Sequence, residues 1–163
     1  MTFRLAYFGK INFQPVEEYY DVVADVESHP TRISLNFLNE RLNHATIETI
    51  QSQLDRLPLL IEKAKDGIKT GLGKSESIDL YVSHHLAEID DSELATLFEG
   101  LDPQLTDQEK IVEKLFLQRI GFYPDEAKRY IEMDFTIGNH LTQYVLMVVM
   151  NPSENISRFE MES

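Results

Sequence analysis

The run Tyr144-Val145-Leu146-Met147-Val148-Val149-Met150 constrains what this chain can fold into more than any other stretch. Seven consecutive apolar side chains, three of them β-branched valines, are short for a buried helix and lack the alternation of a half-wet strand. They predict an interior strand covered on both faces. Just upstream, Ile131, Met133, Phe135 and Ile137 alternate with Glu132, Asp134 and Thr136, the period of a strand with one face buried. The Gly138 to Thr142 segment is short enough to join these two strands antiparallel. Asn151-Pro152-Ser153-Glu154-Asn155 makes a further turn, after which Ile156 to Glu162 returns with Phe159 and Met161 on one side. The C-terminal end therefore predicts a three-stranded meander.

The N-terminal end also supplies sheet. Phe3 to Phe8 suits a first strand, with Ile11 and Phe13 extending it past a bulge at Gly9. Tyr20 to Val26 is rich in valine and reads as a second strand; after Ser28-His29-Pro30-Thr31 turns the chain, Ile33, Leu35 and Phe37 mark a third. The middle is helical. Ile47, Ile50, Leu54, Leu57, Ile61, Ala64 and Ile68 recur at spacings of three and four, and Pro58 within that stripe should kink the helix or divide it. The proline and the polar gaps favour packing on the chain's own core over a dimeric coiled coil. Ser75 to Ala87 carries Ile78, Val82 and Leu86 as a further helix; another begins near Asp91 or Ser92 and stops at Gly100. Thr106-Asp107-Gln108-Glu109 has capping-box spacing and opens a helix burying Ile111, Val112, Leu115 and Phe116. The expected class is α+β: a mainly antiparallel sheet, from N-terminal strands plus the C-terminal meander, packed on a central helical region in a single domain, 1–163.

A domain of 163 residues buries roughly 70% of the surface its unfolded chain exposes, so one core suffices. The chain has no cysteine, which excludes disulfides, thiolate zinc sites, iron–sulfur clusters and cysteine nucleophiles. Its first ten residues hold no sustained apolar run before a cleavage site, and no stretch approaches the roughly 18 apolar residues of a membrane span, so the cytoplasm is expected. Asn155-Ile156-Ser157 matches a glycosylation acceptor in spacing only.

Formal net charge is −13, and from Glu76 to Glu113 eleven Asp or Glu residues face a single cation, Lys110. Such a surface repels phosphate backbones and anionic lipid, which disfavours nucleic-acid and membrane binding and favours a basic protein partner. The plainer reading is that the acidic excess keeps the protein in solution.

Three constellations carry candidate chemistry. Gly71-Leu72-Gly73-Lys74-Ser75 ends like a phosphate-binding loop, but Ile68 stands where that loop needs a glycine and a helix precedes it in place of a strand. His84-His85-Leu86-Ala87-Glu88 places His84 and Glu88 one helical turn apart, with Asp90 or Asp91 just beyond. Distant ligands such as His140 or Asp134 would have to complete a metal site; the plainer reading is a helix surface with partly exposed histidines that soften the acidic field. Asp134, Asn139, His140 and Tyr144 gather around the predicted hairpin, where an Asp–His pair could orient a base, although no nucleophile elbow accompanies them. The structural alternative gives Gly138 and Asn139 to the turn and Asp134 to the outward strand face.

Five segments in order, Tyr7-Phe8-Gly9-Lys10-Ile11, Glu18-Tyr19-Tyr20-Asp21-Val22, Ile120-Gly121-Phe122-Tyr123-Pro124, Asp134-Phe135-Thr136-Ile137-Gly138 and Leu141-Thr142-Gln143-Tyr144, make the chain similar to a bacterial family catalogued only as a domain of unknown function. The resemblance implies a small cytosolic α+β protein, with no catalytic residue and no cofactor to carry across. Acidic single-domain proteins of this kind also resemble, by analogy alone, immunity proteins that neutralise basic toxins. The sequence thus sets a non-enzymatic binder of a basic partner, using the 76–113 helices, against a metal-dependent hydrolase using His84, His85, Glu88 and His140 or Asp134. Convergence of three or more of these groups in a concave site would favour the hydrolase.

Overall fold

Apolar alternation at both ends of the chain becomes one sheet. The computed structural model describes residues 2–38 and 42–163. Strands β3 (Tyr19–Val26), β4 (His29–Asn36), β5 (Phe116–Phe122), β6 (Ile131–Thr136), β7 (Val145–Met150) and β8 (Ile156–Glu162) lie side by side in that order. All neighbours run antiparallel except β4 and β5, which pair in parallel from Arg32 opposite Arg119 to Leu35 opposite Phe122. The expected α+β class and C-terminal meander are as observed, and β7 is an interior strand whose Leu146, Val148, Val149 and Met150 are fully buried.

The N-terminal strand is a correction. In place of one strand bulged at Gly9, β1 (Thr2–Leu5) and β2 (Gly9–Asn12) form a separate two-stranded antiparallel hairpin with Leu5 opposite Gly9. Tyr7 (φ 72°) and Gly9 (φ 77°) both take the left-handed conformation, which reverses the chain where a bulge would only have bent it.

Among the described residues five helices lie in the parallel crossover between β4 and β5: α1 (His44–Asp55), α2 (Leu57–Gly71), α3 (Glu76–Glu88), α4 (Asp91–Leu97) and α5 (Asp107–Lys114). Pro58 does divide the long apolar stripe. The break falls at Arg56, which leaves the proline in the first turn of α2, where its missing N–H costs no helical bond. The Arg56 guanidinium grips the Glu154 carboxylate in a fork of 2.9 and 3.0 Å and so ties this break to the β7–β8 turn. That fork, chiefly through its hydrogen bonds, holds the Glu154 carboxyl below the usual carboxylate range.

Ile33 and Leu35 of β4, Ile120 and Phe122 of β5, Met133 and Phe135 of β6, and Leu146 and Val148 of β7 belong to one buried core with Ile47, Ile50, Leu54, Ile61, Ala64 and Ile68 of the helices. At α5 the capping box is complete: Glu109 N–H donates to Thr106 Oγ at 3.1 Å, and Thr106 N–H donates to Glu109 Oε1 at 3.0 Å. Phe116, expected on this helix, instead opens β5, because the helix ends at Lys114. Replacing Thr106 with alanine should destabilise the protein by about 1 kcal/mol, measured as a lower urea midpoint, while Thr106→Ser should be close to neutral.

Candidate functional site

Helix α3 starts at its Ser75 cap, whose hydroxyl accepts the Ile78 N–H at 3.4 Å, and turns Ile78, Tyr81, Val82 and His85 inward. The sequence pattern points to Leu86 as the third inward residue and leaves the histidines at the surface. The structure corrects this: His85 is 1% exposed and Leu86 is only half-buried.

His85 is bonded at both ring nitrogens. Nδ1 lies 2.6 Å from the Tyr81 carbonyl oxygen, which can only accept, so Nδ1 carries the proton and donates. Nε2 then accepts from the Thr142 hydroxyl at 2.8 Å, and Thr142 Oγ in turn accepts the Tyr144 N–H at 3.0 Å. Burial pushes the His85 pKa down; the Tyr81 carbonyl opposes this and the neighbouring His84 adds to it. The imidazole is therefore neutral near pH 7 and joins α3 to the β6–β7 loop. Burial also pushes the Tyr81 phenol up to about 12, against the smaller opposing pull of the Ile137 backbone and the Thr136 side chain.

The loop it holds is shaped by Gly138. At φ 130° this glycine occupies a conformation that side chains rarely adopt, and its carbonyl accepts the N–H groups of Leu141 and Thr142 at 3.0 and 3.1 Å. A Cβ there would sit 2.7 Å from His140 Cε1, so the missing side chain is what lets the His140 ring fold against the turn.

Between α3, the start of α4 and this loop lies an open cleft of about 550 Å³. His84, His85, Glu88 and His140 line it together with Asp90, Glu93, Thr142 and Tyr144. His84 is half-buried and meets the Tyr144 ring edge-on at 5.0 Å and the His85 ring at 5.1 Å. Four of the five expected residues thus share one concavity.

Asp134 does not belong to it. Its carboxylate accepts from Arg119 Nε at 2.8 Å on the sheet face opposite the helical core, where Arg119 also donates to Glu132 at 3.1 Å and to the Tyr123 hydroxyl at 3.3 Å. Burial opposes the charge on Arg119, but Asp134 and Tyr123 outweigh it and raise the guanidinium pKa. The outward-strand alternative for Asp134 agrees with this placement, and the Asp134–His140 orienting pair does not.

Convergence in space does not assemble a metal site: among the described residues, no three His, Asp or Glu side chains are placed to hold one ion. Thr142 and His85 have the spacing of a nucleophile and its base. However, the His85 Nδ1–H faces a neutral backbone carbonyl where a charged orienting partner would stabilise an imidazolium, and its burial lowers basicity. The pair therefore acts as a structural tie. Thr142 and Glu93 were not legible as site residues. The only local signal for Thr142 is a threonine two residues before Tyr144, able to bond that backbone N–H as a turn.

Among the described residues Glu88, Asp90 and Glu93 form no ion pair, so the cleft's rim carries three carboxylates without a directly paired cation. Among the described residues no helix is long and apolar enough to cross a membrane. Compared with known proteins, the chain matches no family model, no curated protein and no solved structure.

Proposed function

We propose that this protein is a non-enzymatic interaction domain of the immunity type, which uses the acidic helical edge from α3 to α5 to hold a basic protein partner. The observation that carries this is the rim of the cleft, where Glu88, Asp90 and Glu93 are exposed without a paired cation. Unpaired carboxylates gathered on one edge raise the encounter rate with a cationic surface and repel nucleic acid. The hydrogen bonding of His85 adds support, since the one buried imidazole of the cleft is engaged in structure on both nitrogens.

Affinity capture from the host, run with the native protein beside the triple variant Glu88→Gln/Asp90→Asn/Glu93→Gln, tests this. A basic protein should be retained at about 50 mM salt, released by about 300 mM, and held at least about tenfold more weakly by the variant. Recovery of no basic partner, or of one whose affinity ignores both salt and the three substitutions, overturns the proposal.

A further inference from the structure

A second hollow, of about 560 Å³, adjoins the cleft, and Glu93, His140 and Leu141 line both. The two differ in character. The first presents carboxylates and imidazoles together with the Tyr144 ring, whereas Thr96, Leu97 and Leu141 give the second a mainly apolar wall that also includes Lys114. The two meet at Glu93, His140 and Leu141, so a trough of two adjoining hollows sets an anionic side next to a mainly apolar side that also holds Lys114.

Resting on the acidic-interaction reading above, we infer that this trough takes a segment of a partner protein that presents an arginine or lysine beside a large aliphatic side chain. The cation sits toward Glu88 and Asp90 and the aliphatic group toward Leu97 and Leu141. Charge complementarity chooses the hollow for the cation, since Lys114 lines the second and is absent from the lining of the first. The half-buried Tyr144 ring lines the same hollow beside His84. The floor of the trough is fixed before binding: His85 pins Thr142, and Gly138 pins the turn against His140. Little loop ordering is then left for the partner to impose. Carboxylates spread along α3 to α5 would accept a cation anywhere, but the trough accepts it only beside an apolar neighbour.

The test uses the full chain, isotope-labelled, titrated at about 50 mM salt with three short peptides that differ only in two central residues: Arg-Leu, Arg-Ser and Ser-Leu. The Arg-Leu peptide should bind at least about tenfold more tightly than either control and shift the amide signals of Leu97, Leu141 and Thr142. Glu88→Gln/Asp90→Asn should weaken Arg-Leu and Arg-Ser while leaving Ser-Leu unchanged. Equal binding of Arg-Leu and Arg-Ser would overturn the inference and leave the acidic-interaction reading standing. Equal binding of Arg-Leu and Ser-Leu would overturn it from the apolar side. If neither these peptides nor an oligo-arginine probe binds, both proposals fall together.

Discussion

Replacing Arg119 with methionine is expected to destabilise the fold by about 3 kcal/mol, lowering the melting temperature by roughly 10 °C. Glu132 and Asp134 are both substantially buried, with side chains 7% and 16% exposed, and Arg119 is the cation that touches both. Removing it leaves Asp134 without its donor and Glu132 with only the longer contact to Arg129 at 3.5 Å, and the buried charge on Asp134 dominates the loss. The triple variant Arg119→Met/Glu132→Gln/Asp134→Asn should recover at least half of the deficit, because it removes the charges together with their partner. Gly121 belongs to the same cluster. A Cβ at that position would lie 2.7 Å from Arg119 Nη1 and 2.8 Å from Tyr123 Cε2, so Gly121→Ala should displace the guanidinium and reproduce part of the effect. A single Arg119→Met variant within about 1 kcal/mol of the native protein would show the cluster to be energetically idle.

His85→Ala should cost about 2–3 kcal/mol, from the cavity it opens and the Thr142 hydroxyl it leaves without its acceptor. Its pH signature is specific. The folded-state pKa of His85 is lowered, so below about pH 6.5 the unfolded imidazole takes up a proton that the native one refuses. The stability it contributes is fully present above that value and is lost as pH falls toward the depressed folded pKa. Urea midpoints measured between about pH 7.5 and pH 5 should fall more steeply for the native protein than for His85→Ala. Parallel slopes would mean that His85 is not held neutral in the folded state.

The C-terminal meander was legible because its cues are local: Ile131, Met133 and Phe135 alternate, Gly138 turns and Asn151-Pro152 turns again. The parallel pairing of β4 with β5 was not, since nothing near Ile33 or Ile120 names its neighbour across the sheet. The same division runs through the site. Helical spacing put His84 and Glu88 on one side of α3, and both do line the cleft. The burial of His85 depended on which side of that helix would find partners for polar tips. Ranked by hydrophobicity, Ile78, Val82 and Leu86 make the inward set; the observed set rotates to take in Tyr81 and His85. That rotation needed Thr142, a residue whose approach is a property of the folded loop. Asp134 read correctly as an outward strand residue, but its partner Arg119 lies on a strand whose pairing the sequence did not announce.

The placement of the five described helices between β4 and β5 implies an expected order of assembly. Strands β5 to β8 follow one another through short turns, so each pairing closes a small loop and needs little search. The β3–β4 hairpin is equally local, yet its junction with β5 must wait until the intervening helices have gathered the two ends of the chain. The Ile33–Ile120 seam is therefore expected to close last during folding, with its amide hydrogens exchanging before those of the β6–β7 pairing when the helices loosen.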